Sequence, residues 1–245
     1  FNTHQINTDN VHVQPGKTFR WGGKYNDDYS SRDTLFTDLG VFESFSPKIK
    51  EEDCLSPLVF LGNIQPDLQL RVAGFAGDAE HIVSDTMNLW IDTQPDTLRK
   101  VLKGLEGLFI NEEEAMQLTQ ATTLQDAGDA LLAEGPQVVV IKQGAEGALL
   151  CLDIEMSGRN VRLQQEFPAY PSSVVIDPTG AGDSFAGGLM GYLAATGNTS
   201  AEGFRNATVL GSVMGSFAVE RFSVERLRSL TRPEITSRFR EFTLD

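Results

Sequence analysis

From Leu58 onward, short apolar runs rich in β-branched residues alternate with stretches that read as helices, and this alternation restricts the fold more than any other feature. Leu58–Gly62, His81–Thr86, Leu108–Ile110, Val138–Ile141 and Val174–Ile176 have the length and composition of buried strands. Between them, Asp67–Ala76, Pro95–Leu105, a segment opening at Asn111-Glu112-Glu113-Glu114, and Leu124–Ala133 read as helices. Strands that are apolar throughout must be covered on both faces, and strand–helix–strand units make parallel neighbours. The expected fold class is therefore α/β, a mostly parallel sheet sandwiched between helices. Gly147–Leu152 and Val161–Phe167 read as antiparallel additions. Ser184–Ala195, Ala201–Phe217, Ser223–Leu230 and Pro233–Phe242 read as further helices.

Residues 57–245 thus make up the expected core. Residues 11–39 differ in character. Lys17–Trp21 and Thr34–Leu39 read as strands around a polar stretch, Asn26 to Asp33, and together suggest a small β lobe. Phe1–Asn10 reads as the tail of a helix and its loop. Because Phe1 stands where an initiator methionine would, we expect part of a natural N-terminus to lie outside this sequence.

Charge narrows the function classes. Twenty Lys and Arg against 34 Asp and Glu leave a formal charge of −14, which speaks against a nucleic-acid partner. No apolar run approaches a membrane span, so no membrane role is expected. Cys54 and Cys151 lack CxxC spacing and fit a reducing, cytoplasmic setting. His4, His12 and His81 form no metal-ligand pattern. An acidic chain that binds a phosphorylated ligand needs a strongly local anion site.

Asp177-Pro178-Thr179-Gly180-Ala181-Gly182-Asp183 supplies one. An apolar run ends, small residues turn the chain, and the apolar helix from Ser184 follows. Backbone N–H groups at a helix start lack intrahelical partners and carry roughly half a positive charge, so they can converge on a phosphate. Glycine allows both the turn and close approach of the ligand. Asp183 opposes that attraction. An acidic residue in a first helical turn is also an ordinary cap, but Asp177 ahead of the turn and Gly187-Gly188 one turn behind favour a functional role. Gly16-Lys17-Thr18 imitates the end of a P-loop, but Val11 stands where that motif needs glycine, and a strand rather than a helix follows.

The segment Asp177–Asp183, with Gly187-Gly188-Leu189-Met190 behind it, resembles the C-terminal signature of the PfkB, ribokinase-like carbohydrate kinases. The resemblance implies a ribokinase-like sandwich with a β-hairpin lid, and transfer of the γ-phosphate of ATP to a hydroxyl of a sugar or sugar-like molecule. It places Asp183 on the catalytic base and Gly180, Ala181 and Gly182 on the anion hole. Asp177 and the Thr179 carbonyl fall where such proteins hold a monovalent cation such as K⁺. Asn111 and Glu114 match an Asn-x-x-Glu element that helps to hold Mg²⁺ through water. Lys142, Gly144 and Gly147 resemble the nucleotide-side turn, and Asn206 matches a position near adenine. The lobe at Lys17–Leu39 resembles the lid, which in such proteins also forms homodimers. A nucleoside (adenosine-like) kinase would share all these motifs. A non-catalytic nucleotide-binding relative would tend to lose the base, whereas Asp183 is present. A carboxylate is a weak base toward an alcohol, which phosphoryl transfer tolerates because positioning and electrostatics dominate it.

Overall fold

The computed structural model describes residues 1–26, 32–49, 56–77, 79–156, 159–172 and 174–243. Cys54 and most of the polar stretch from Asn26 to Asp33 lie outside the described residues. The chain forms a two-stranded antiparallel hairpin, β1 (Arg20–Tyr25) and β2 (Arg32–Asp38), and a separate six-stranded sheet. In the larger sheet β3 (Leu58–Leu61), β4 (His81–Asp85), β5 (Gly107–Asn111) and β6 (Val138–Lys142) run parallel in sequential order. Two antiparallel strands, β7 (Ala148–Met156) and β8 (Arg159–Phe167), complete it.

Alternation along each strand sorts the side chains into two cores, because successive residues point to opposite faces. Leu108, Ile110, Val139, Ile141, Leu149 and Cys151 meet the helices on one face: α1 (Pro66–Phe75), α2 (Asn88–Thr93), α3 (Pro95–Leu102), α4 (Glu112–Thr119) and α5 (Leu124–Glu134). Phe109, Val138, Val140, Leu150 and Leu152 meet α6 (Ala181–Thr196) and α7 (Ala201–Ala218) on the other. The expected α/β sandwich is the observed one. Helices α8 (Glu225–Ser229) and α9 (Arg232–Thr243) close the chain. Arg238 of α9 is bound to Glu220 at 2.6 Å and sits over the Phe217 ring, fastening α9 to the end of α7.

Helices α6 and α7 lie against each other through small residues. A Cβ on Gly188 would stand 2.7 Å from Met214 Cγ and 2.8 Å from the Leu210 carbonyl oxygen. Backbone cannot yield as a flexible side chain can. Gly188→Val is expected to lower stability by roughly 3 kcal/mol, read as a fall in the urea midpoint with an unchanged slope. An unchanged midpoint would show that the helices can part without loss.

Two local expectations are corrected. Val174–Ile176 forms no strand, although its composition suits one. The Ile176 and Asp177 amides donate to the Val219 carbonyl at the end of α7 (2.7 and 3.3 Å), and the three side chains are 39–55% exposed. The segment is therefore held by a helix end rather than by the sheet. Phe1–Asn10 contains only a short 3₁₀ turn at Asn2–His4. Among the described residues no helix is long and apolar enough to cross a membrane.

Candidate functional site

Pro178, Thr179, Gly180 and Ala181 form a tight turn, closed by the Ala181 amide donating to the Pro178 carbonyl at 3.2 Å. Gly180 has φ 83° and ψ 3°, the values that a type II turn demands of its third residue. A Cβ there would be strained, so glycine is required by the turn itself. The Ala181 amide is spent in that turn. Gly182 and Asp183 follow in the first turn of α6, where no carbonyl four residues back lies within the helix. Asp183 is exposed at this opening.

Asp177 anchors the turn. Its carboxylate accepts the Thr179 amide at 3.0 Å and the Ser223 amide at 3.1 Å. Burial works to raise its pKa, but these two amides and the Thr179 hydroxyl outweigh it and hold the group below the ordinary value. Across the turn, Tyr25 at the end of β1 brings its phenol oxygen to 3.4 Å from Thr179 Oγ1, so the hairpin touches the turn.

Strand register brings other groups to the same place. Asp85 pairs with Phe109, and Asn111 with Lys142. Phe109 belongs to the α6-facing core. Paired residues of parallel neighbours, and residues two apart on one strand, share a face. Asp85, Asn111 and Lys142 therefore emerge on the α6 side at the carboxyl ends of three adjacent strands, where open α/β sheets bind ligands. The Lys142 Nζ reaches α6, standing 3.3 Å from where a Cβ on Gly182 would be.

Asn111 and Glu114 form a complete capping box on α4. Asn111 Oδ1 accepts the Glu114 amide at 2.8 Å, and Glu114 Oε2 accepts the Asn111 amide at 3.0 Å. Glu114 is only 4% exposed. Its charge nevertheless acts on Asp85, as does that of Asp183.

Asp85 is the residue that sequence reasoning missed. It is 7% exposed, and its Oδ1 has no hydrogen-bond partner among the described residues. Burial pushes its pKa up to about 7. The Lys142 ammonium opposes the shift, and the Asp183 and Glu114 carboxylates add to it. Buried Gln69 of α1 fixes the backbone here, its Nε2 lying 3.0 Å from the Asp85 carbonyl oxygen and 3.1 Å from that of Gly62. A charged residue ending a buried strand was the available signal.

The remaining positions are less central. Gly144 and Gly147 flank a 3₁₀ turn at Gly144–Glu146. Gly147, at φ 111°, lies so close to the Phe167 carbonyl that a side chain has no room, which gives this glycine a packing role. Asn206 sits on α7, its amide 3.5 Å from Glu202. Gly215, which faces Ala181 at the α6 opening, lies nine residues further along, about 13 Å at the helical rise. Asn206 therefore does not join the cluster around Asp183.

A family model described as the pfkB family carbohydrate kinases matches residues 64–228, more than half of the chain, including Asp85, Asn111, Glu114, Lys142 and the turn from Asp177 to Asp183. The chain belongs to that family. Among curated relatives, a cytidine kinase of Thermococcus kodakarensis is 32% identical over 193 residues, covering 76% of this chain and 66% of its own length. This chain thus spans slightly less than two thirds of that pfkB relative. Two solved structures share the fold. Fructokinase from Vibrio cholerae O395, solved in a fructose-, ADP- and calcium-bound form, has a TM-score of 0.72 at 18% identity. That match covers 97% of this chain and 79% of the fructokinase. A Burkholderia thailandensis nucleoside kinase in complex with inosine also gives 0.72, at 19% identity, over 98% of this chain and 73% of its own. The sheet and its helices have the ribokinase-like fold.

Proposed function

We propose that the protein is an ATP-dependent kinase that transfers the γ-phosphate to a hydroxyl of a sugar or sugar-like molecule. One observation carries this reading. The carboxylate of Asp183 stands at the opening of α6, beside the Gly180 turn and the Gly182 and Asp183 amides, for which no carbonyl four residues back lies within the helix, and Lys142 reaches the same point.

In the proposed reaction Asp183 orients the acceptor hydroxyl and takes its proton as the oxygen bonds to the γ-phosphorus. The bond from that phosphorus to the β,γ-bridging oxygen breaks, releasing ADP. The Gly180 and Gly182 amides, with that of Asp183, receive the charge on the transferred oxygens, where losing one donor costs about 3 kcal/mol. Lys142 adds a mobile positive charge. Among the described residues no group of three or more His, Cys, Asp or Glu is arranged to hold a metal directly. Mg²⁺ keeps much of its water and is held mostly by substrate phosphates. Glu114, part of whose carboxylate is committed to the α4 cap, would hold it through water, and the ion would neutralise phosphate charge. Asp177 and the Thr179 carbonyl form the proposed K⁺ position. Asn206 and Gly144 are assigned to the nucleotide.

The β1–β2 hairpin is read as a lid. A two-stranded sheet alone is marginal, and Leu35, Phe36 and Phe19 of this lobe are exposed. We assign it closure over the acceptor and pairing with a second copy. The free thiol of Cys151 is in keeping with a reducing, cytoplasmic setting, which we assign to the protein.

A second reading, a nucleoside kinase, is favoured by the cytidine kinase relative. Phosphate transfer from ATP labelled at the γ position, across ribose, fructose, inositol, adenosine and cytidine, tests both. Preferred turnover of a free sugar is expected, and preference for cytidine or adenosine selects the second reading. ATP binding without transfer to any acceptor would overturn both in favour of a non-catalytic nucleotide binder.

A further inference from the structure

Resting on the kinase reading above, the geometry points to Asp85 as a positioning residue that keeps the Lys142 ammonium directed at the opening turn of α6. Both side chains leave the carboxyl ends of their strands on the α6 face, with β5 between them. Among the described residues no ion pair within 4.0 Å joins them, so Asp85 acts on Lys142 across a gap rather than by locking it. Lys142 is the cation that acts on Asp85, and Asp183 and Glu114 are the other charges that face it.

The anchored backbone and burial of Asp85 make this possible. Its backbone is pinned by Gln69, and Gln69 also grips Gly62 and Ser84. The ends of β3 and β4 are thereby fixed relative to each other, while Lys142 is long and flexible. A fixed carboxylate facing a mobile ammonium narrows the directions that the ammonium samples, and the direction observed brings Nζ to Gly182. An isolated buried carboxylate is expensive to keep without a partner. The orphaned Asp85 Oδ1 is thus explained by the work it does on Lys142.

Electrostatics alone predicts the opposite consequence, which makes the idea testable. If Asp85 were only a negative charge near a phosphate site, Asp85→Asn would tighten nucleotide binding. If it positions Lys142, the same change weakens binding, and only while Lys142 is present. The test is a calorimetric cycle at about pH 8.5, where Asp85 is ionised, with the Mg²⁺ complex of the ATP analogue bearing an imido β,γ-bridge, on the wild type, Asp85→Asn, Lys142→Ala and the double variant. We expect Asp85→Asn to weaken binding roughly tenfold and to add nothing in the Lys142→Ala background. Asp85→Ser provides an independent second removal of the carboxylate, with the same expectation. Tighter or unchanged binding in both variants, or losses that simply add, would overturn the positioning role. Unchanged affinity in Lys142→Ala would instead undermine the kinase reading of Lys142, a result distinguishable from the first.

Discussion

Asp183→Asn is expected to reduce kcat by roughly 10²–10⁴-fold while nucleotide affinity changes little. Asparagine matches aspartate in size, and no side-chain cap at the start of α6 depends on Asp183, so the turn at Pro178–Ala181 should survive. What it cannot do is take the proton of the acceptor hydroxyl. Removing a negative charge beside the Gly180–Gly182 amides also relieves repulsion of phosphate, so any change in nucleotide affinity should favour binding. A fall in kcat with a constant or slightly lower Kd for ATP therefore separates a base from a cap. Full turnover in the variant would leave Asp183 a helix-capping residue and remove the chemical core of the proposal.

The second large effect is on stability. Asp85 ionises at about 7 in the folded chain, against 3.8 for the ordinary group, because burial disfavours its charge. Between these values the folded state binds the proton and the unfolded state releases it. Stability contributed by this site therefore falls as pH rises, by about 1.4 kcal/mol per pH unit from roughly pH 4 to pH 7, and then levels. Asp85→Asn removes that dependence. Its advantage over wild type should grow by roughly 3 kcal/mol between pH 5 and pH 8, visible as a widening gap in Tm. Asp177 and Glu220 are shifted downward instead, so their contributions are lost only in acid, below this window. A gap in Tm that stays constant across pH would contradict the burial of a titrating carboxylate at the end of β4. A variant that is more stable yet binds nucleotide more weakly would carry the mark of a residue kept for function at a cost in stability.

Much of the sheet was legible from local pattern. Val138–Ile141 is apolar on both faces because both faces are covered, and β5 and β6 lie where their composition puts them. The helix from Ala181 and its glycine turn were legible because small residues between an apolar run and an apolar helix mark a tight turn into a helix start. Val174–Ile176 misled because apolar β-branched residues suit any extended segment, and only tertiary context shows that its amides bond to the end of α7. The short helix Asn88–Thr93 follows β4 so closely that periodicity had no room to appear.

The site was legible where its chemistry is local and obscure where it is assembled. Gly180, Gly182 and Asp183 lie within one turn of chain. Asp85, by contrast, gains its meaning from Lys142 on another strand and from Gln69 on a helix, and no spacing in the sequence joins them. Gly147 is a motif glycine that the nearby Phe167 carbonyl also requires for packing. Asn111 and Glu114 occupy both roles at once, as their capping box also sets a buried carboxylate near Asp85.

The proposed chemistry depends on main-chain donors at the start of α6 gripping a phosphoryl group. Amide resonances of Gly180, Gly182 and Asp183, followed in ¹⁵N-labelled protein during titration with ATP and Mg²⁺, report on it directly. Large, saturable shifts at these residues with one common Kd are expected. Saturation elsewhere in the protein while these amides stay unmoved would contradict it.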